Sequence, residues 1–318
     1  MLLAVARRLA SMVVTLLGVA VVIFVILRLL PGNAISASLG VSEGLLSPAQ
    51  HAALDRYYGT GQPAAEQFVT WLRAMLGGNL GVSLASRTSV SSLIGQALPV
   101  TLEVGFASLV LGVLLGVGLG MLGALHPGKL PDDVGQGVAV IGLGVPSFVI
   151  GTGLVTFLSS HFHYFPSSQG YSGITSDPWL NFQQIILPAA VLSLGIGAAI
   201  MRTTRAAVLE VSSLGFMRTA RGKGISGRAI VWKHLFLNAL VPIVTMSGIQ
   251  FGYLLGGEVI IEQIFVLPGL GRLLVTSINQ RDFPVVQSVT LLFATGFVVV
   301  NMLVDVAISL IDPRTRAR

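Results

Sequence analysis

The side chains best able to do chemistry are few and scattered. Gly123-xxxx-Gly128-Lys129 imitates the start of a phosphate-binding loop, where glycine amides cradle phosphates and the lysine neutralises them. Such a loop follows a strand and continues with Ser or Thr to hold the metal. Here Leu130 follows and the segment closes a long apolar run, so the chain is read as having no ATPase activity of its own. His161 and His163 could ligate a metal, but a spacing of two puts both on one side only of extended backbone. With no neighbouring carboxylate and no cysteine in the chain, a tetrahedral donor set is incomplete, and both read as solvated loop histidines. Gly81-Val82-Ser83 offers a hydroxyl without an identifiable base, and neither a nucleophile elbow nor a His-Glu zinc helix is present. The chain therefore reads as a non-enzyme with no metal or cofactor of its own. Proton or ion coupling would need charges inside apolar spans; only Arg28, Glu103 and Asp305 lie near span ends, with Asn301 one turn before Asp305.

The elements around these residues are membrane helices. Of 318 residues, 53% are hydrophobic and only 10% charged, against about 25% charged in a soluble domain. Charge-free runs near Ser11 to Leu27, Val104 to Leu125, Gly137 to Ser160, Ile185 to Met201, Leu240 to Gly257 and Pro284 to Val304 are each near the length that crosses a bilayer. Their apolar residues are continuous, not alternating, which predicts helices instead of a barrel. The first run exceeds a signal-peptide core and continues past Arg28, so it is read as an uncleaved helix.

Orientation follows from Lys and Arg, which stay on the cytoplasmic side. An inside N-terminus places Arg7, Arg8, Lys129, Arg202, Arg205, Arg218, Arg221, Lys223, Arg228, Lys233, Arg314, Arg316 and Arg318 there. The outer side keeps Arg28, Arg56, Arg73, Arg87, Arg272 and Arg281, so both termini are expected in the cytoplasm. The net charge of +6 is then a topology signal and no nucleic-acid footprint.

The expected fold class is all-α: six transmembrane helices, an outer segment between the first two and a cytoplasmic loop between the fourth and fifth. The divisions are 1–30 for the N-terminus and first helix, 31–98 for the outer segment, 99–311 for a five-helix core and 312–318 for a cytoplasmic tail. The outer segment is too long for a turn and too apolar for a linker, so it is expected to pack short helices. Gly112, Gly116 and Gly120, and again Gly248, Gly252 and Gly256, put glycines on one helix face. That pattern serves either ordinary close packing or a pathway lining. Pro146, Pro188 and Pro242 fall within or at the start of spans as local kinks. No internal repeat is evident, which leaves the inverted-repeat design of secondary transporters unsupported.

The loop at about 202–236 is long and basic. Within it Phe216, Met217, Arg218, Thr219, Ala220, Arg221, Gly222 and Lys223 mix apolar and cationic side chains as a short amphipathic helix would, and with Gly215, Gly224 and Ile225 they make the candidate coupling segment. Gly215, Gly222, Gly224 and Gly227 allow sharp turns on both sides. Such a loop is either a topology signal or a docking element.

Here the chain resembles permease subunits of bacterial ABC importers, of the dipeptide/oligopeptide and nickel type, B-like subunit. The residues carrying the resemblance are Phe216-Met217-Arg218-Thr219-Ala220-Arg221-Gly222-Lys223-Gly224, Lys233-His234 and Asn238-Ala239-Leu240-x-Pro242. Gly78-Asn79-Leu80-Gly81-x-Ser83, Leu98-Pro99-x-Thr101-Leu102-Glu103, Glu262-xx-Phe265-xx-Pro268-Gly269-Leu270-Gly271 and Arg281-Asp282-Phe283-Pro284-Val285-Val286-Gln287 add to it. Asn301-xxx-Asp305 and Asp312-Pro313-Arg314 close the chain. Where the general importer signature begins Glu-Ala-Ala, this chain has Arg218-Thr219-Ala220, as suits the peptide-type subfamily. The resemblance implies a bacterial inner-membrane permease that pairs with a homologous second permease, two ATPase subunits and an extracytoplasmic substrate-binding protein. It implies that residues 215–225 are the coupling element, that ATP and Mg sit on the ATPases, and that peptides or related small solutes cross by alternating access. The rival readings are an ion-coupled secondary transporter, an exporter or channel component, and a membrane-embedded enzyme.

Overall fold

The computed structural model describes residues 2–29, 62–165 and 170–311. The tail with Asp312, Pro313 and Arg314, and the earlier half of the outer segment with Arg56, lie outside the described residues. The elements are α1 (Leu2–Leu29), α2 (Ala64–Leu76), α3 (Val90–Leu125), α4 (Leu130–Gly144), α5 (Ser147–Phe162), α6 (Pro178–Ser213), α7 (Gly215–Gly222), α8 (Leu237–Ile264), α9 (Leu270–Asn279) and α10 (Phe283–Ile311). A helical turn at Gly227–Ala229 and a π-helical stretch at Ile230–Phe236 lead into α8. Among the described residues no strand forms; Val82 and Ser89 make an isolated bridge. Among the described residues five helices are long and apolar enough to cross a membrane, or six spans if α4 and α5 are one broken span, and the chain is an all-α membrane protein.

Two differences from the sequence expectation have clear causes. The run Gly137 to Ser160, expected as a single span, is broken, and α4 and α5 are bent by 97°. Pro146 disfavours helical backbone in the residue before it, and Val145 is extended at φ −102° and ψ 121°. Pro99, Pro188 and Pro242, by contrast, remain inside helices. The second difference is in α6, which stays helical to Ser213, so its last three turns occupy what was expected as the start of the 202–236 loop. Charge ended the apolar run at Arg202, but Thr204, Ala207, Val208 and Val211 continue a buried stripe at helical spacing.

The chain divides into two compact units. The first comprises 1–99 and 268–296. Its core joins Val90, Ile94 and Ala97 of α3 to Leu270 of α9 and Val285 and Val289 of α10. The buried Asp282 carboxylate staples the loop before α3: it accepts the Ser83 hydroxyl, and Oδ1 accepts the Leu84 amide at 3.1 Å. Segment 31–98 contains a short helix, α2, whose Phe68 and Trp71 surround Phe24 of α1. Arg28 lies 3.5 Å over the Phe24 ring and donates to Gln67, which satisfies that charge at the end of the first span.

The second unit comprises 100–267 and 297–318, and α6 is its centre. In the most apolar stretch of α6, 67% of residues are buried, against 22% in the span that includes the start of α8, so α6 is the helix the others cover. Ile185, Ala189, Leu192, Ile196 and Ile200 of α6 pack with Val100 and Val104 of α3 and with Leu254, Ile261 and Phe265 near the end of α8. The Thr101 hydroxyl donates to Glu262 at 2.6 Å, and both are buried.

The first glycine row is a packing seam. A Cβ at Gly116 would stand 2.6 Å from the Gly197 carbonyl oxygen and 2.7 Å from Ile200 Cβ, and Gly112 and Gly120 meet α6 as closely. The second row is divided: Gly248 faces Val304 and Gly252 faces Phe297, whereas Gly256 meets nothing within 4 Å among the described residues. Gly116→Ala is therefore expected to lower the thermal midpoint of the detergent-solubilised protein, at a cost of about 1–3 kcal/mol for forcing a methyl against backbone. Gly256→Ala is expected to leave that midpoint unchanged, and equal midpoints for both variants would refute the seam.

Candidate coupling surface and pathway face

The basic segment folds as α7, a helix of 8 residues joined to α6 through Leu214, whose extended backbone makes the turn. The glycines expected to turn the chain on both sides divide differently: Gly224 alone among them takes positive φ, at +71°. Gly224 donates to Arg221 O at 3.0 Å and Ile225 to Ala220 O at 3.3 Å, which closes the helix in a Schellman motif. An L side chain in that conformation costs about 1–2 kcal/mol.

The helix has two faces. Met217 is fully buried, Ala220 is buried, and Ile225 packs alongside. Met217 joins one cluster with Met121 and Ala124 of α3, Ala207, Val208 and Val211 of α6, Ile230 and Leu235 of the π-helical stretch, and Ala239 and Ile243 of α8. Phe216, Arg218, Thr219, Arg221, Gly222 and Lys223 are exposed, as are Gly215 and Gly224. Met217 thus belongs to the chain's own core and is not an anchor offered outward; Phe216, 44% exposed, is. A lone apolar-and-basic string shows that two faces exist but not which apolar residue turns inward.

The phosphate-loop look-alike has a different use. Gly128 has φ +69°, and its amide donates at 2.9 Å to Asp132 Oδ2, so the position a phosphate would take holds the chain's own carboxylate. Asp132 also receives Arg205, Nε to Oδ1 at 2.6 Å and a terminal nitrogen to Oδ2 at 2.8 Å. This two-pronged pair fastens the α3–α4 turn to α6 two residues before Ala207, where the Met217 cluster begins on that helix. Sequence reading missed it because the partners are 73 residues apart. Acidic residues in the first turn after Pro131 signal a helix start and nothing of Arg205.

The remaining polar candidates are accounted for locally. His161 lies against the Phe157 ring at a tilt of 31° with centroids 4.6 Å apart, and His163 caps α5 in left-handed backbone. Among the described residues no group of three His, Cys, Asp or Glu could hold a metal. Tyr171 donates to Glu103 at 2.6 Å, and burial, with that bond second, pushes its phenol above the usual range. Asn301 donates to Phe297 O at 3.0 Å. The α6 residues Arg202, Thr203, Ala206 and Glu210 line with Pro242 and Met246 of α8 an open groove of about 550 Å³.

Comparison with known proteins places this architecture. Residues 112–317 match the family described as binding-protein-dependent transport system inner membrane component. The chain is 38% identical over 311 residues to the glutathione transport system permease protein GsiC of Salmonella choleraesuis (strain SC-B67), covering 98% of this chain and 97% of that relative. It is 39% identical over 314 residues to the probable peptide ABC transporter permease protein y4tP of Sinorhizobium fredii (strain NBRC 101917 / NGR234), covering 98% of each.

The two-faced helix yields a stability contrast. Met217→Ala empties a buried site and is expected to cost about 2–5 kcal/mol, whereas Phe216→Ala removes an exposed ring and is expected to change stability by less than about 0.5 kcal/mol. Thermal unfolding of the two purified variants checks this, and a Phe216 variant as unstable as the Met217 variant would reverse the assignment of faces.

Proposed function

From the premise that this chain belongs to the family of binding-protein-dependent transport system inner membrane components, the permeases of ATP-binding-cassette transporters, we propose that it forms half of an import pathway for short peptides. Its partners are a homologous second permease, two ATPase subunits and an extracytoplasmic substrate-binding protein. ATP and Mg are held by the ATPases, and the chain itself catalyses nothing. The peptide class follows from the named substrates of relatives that match end to end. Both termini and α7 face the cytoplasm, in keeping with the crowding of basic residues there.

The observation that carries the reading is α7: a short helix with an exposed Phe216, Arg218 and Arg221 on one side and a buried Met217 on the other. Residues 215–225 are the element on which an ATPase seats. Phe216 enters a groove of the ATPase, and the cations meet acidic groups at its rim. Exposed ion pairs contribute about 0–1 kcal/mol each and weaken in salt, so the ring supplies most of the affinity and the charges most of the orientation. The buried side then passes the movement on. Because Met217 packs in the same cluster as the ends of α3, α6 and the start of α8, a displacement of α7 displaces those helix ends together. Alternation between an outward and an inward opening follows, driven by the ATPases' different affinity for the two states.

In a reconstituted complex, Phe216→Asp is expected to reduce ATPase association about tenfold or more, as loss of a central anchor does. Lys129→Ala, on the same membrane side, is expected to have no effect. Unchanged association in Phe216→Asp would place the docking surface elsewhere.

Orientation has its own test, since the chain lacks cysteine. In sealed cells, Ser86→Cys is expected to react with an impermeant thiol reagent and Ser226→Cys to stay unreacted until the membrane is opened. The opposite pattern would invert the topology.

A further inference from the structure

The groove along α6 carries two opposite charges that the coupling role does not use. Among the described residues, no hydrogen bond or ion pair engages the side chain of Arg202 or Glu210, although both line the groove. They are eight residues apart on α6, about 12 Å along the helix axis, too far to pair with each other as residues four apart do. Between them the wall is Thr203 and Ala206, with Pro242 and Met246 of α8 opposite. Small side chains leave room there, and a methionine adapts to varied shapes.

A free peptide has the complementary pattern. Its carboxylate and ammonium are its constant groups, and about three extended residues separate them by about 10–11 Å. An arginine takes a carboxylate through two parallel hydrogen bonds, and a glutamate takes an ammonium. The groove volume of about 550 Å³ falls in the range of small-molecule sites. We propose that this groove is a binding site for short zwitterionic peptides, with the peptide carboxylate at Arg202, its amino group at Glu210 and side chains of little consequence between. The proposal rests on the reading of the chain as a peptide permease. Glu210 stands four residues before Leu214, so an occupied site touches the same end of α6 that carries α7.

The test places one thiol in the groove through Ala206→Cys, in the assembled complex with membranes opened on both sides. Alkylation of this chain by a maleimide is followed with trialanine present, or with N-acetyl-trialanine amide, which lacks both terminal charges. Trialanine is expected to slow alkylation and the capped peptide to leave it unchanged. Adding Arg202→Gln or Glu210→Gln is expected to raise the trialanine concentration for half-protection about tenfold. Equal protection by both peptides, or by neither, overturns the site. Should a substituted chain fail to insert, the comparison of free and capped peptide on Ala206→Cys alone decides. Peptide uptake by the unsubstituted complex without protection in the groove rejects the site and leaves the permease standing. Absence of peptide uptake by that complex rejects the reading on which the site rests.

Discussion

The approach of α3 to α6 across Gly112, Gly116 and Gly120 is the contact on which the larger unit depends. Lipid tails are as apolar as leucine, so helices in a bilayer gain little by hiding apolar surface from them; they associate through close contact. Without side chains on that row, the α3 backbone comes against the Gly197 and Met201 carbonyls and the Ile196, Ile200 and Thr204 side chains. The other faces of α6 are then free to carry what surrounds it: the apolar cluster with α8 toward one end, and Asp132 and the α7 cluster toward the other.

That arrangement explains how a helix of 8 residues holds a defined place. So short a helix does not persist alone in water, because few hydrogen bonds repay its nucleation. Met217 and Ala220 hold it from beneath, Gly224 closes it, and the Asp132–Arg205 pair fixes the α6 end from which it departs. One face is therefore occupied in being held, and the face with Phe216, Arg218 and Arg221 is left exposed. Force reaching such a helix has a short route to three other helix ends, which a freely jointed loop would lack.

Charge is scarce in this chain, with 13 acidic residues in all, and buried carboxylates recur as staples. Asp282 holds the loop at Ser83, Glu262 accepts Thr101, and Asp132 takes Gly128 and Arg205. Each lies where irregular backbone or a helix end needs a partner that lipid cannot supply. An intramembrane carboxylate is ordinarily a reason to suspect ion coupling. Here these three serve the fold, and Arg202 and Glu210, which line the groove, stand apart from them.

By itself the sequence determined the membrane class, the helical character of the spans and the presence of a short two-faced helix among residues 216–223. Those properties are written in apolar run length, in helical periodicity and in residue type, all of which are local. It also placed glycine rows on single helix faces but could not say that one row packs throughout while Gly256 of the other is open. Tertiary structure alone decided that Met217 turns inward and Phe216 outward, that Pro146 breaks its span while Pro188 does not, and that α6 runs on to Ser213. It alone brought Asp132 to Arg205, Ser83 to Asp282 and Arg202 into one groove with Met246. The partners in these pairs lie tens to hundreds of residues apart, and their meeting is set by which helix faces can pack closely, a property of pairs of surfaces that no single stretch of chain contains.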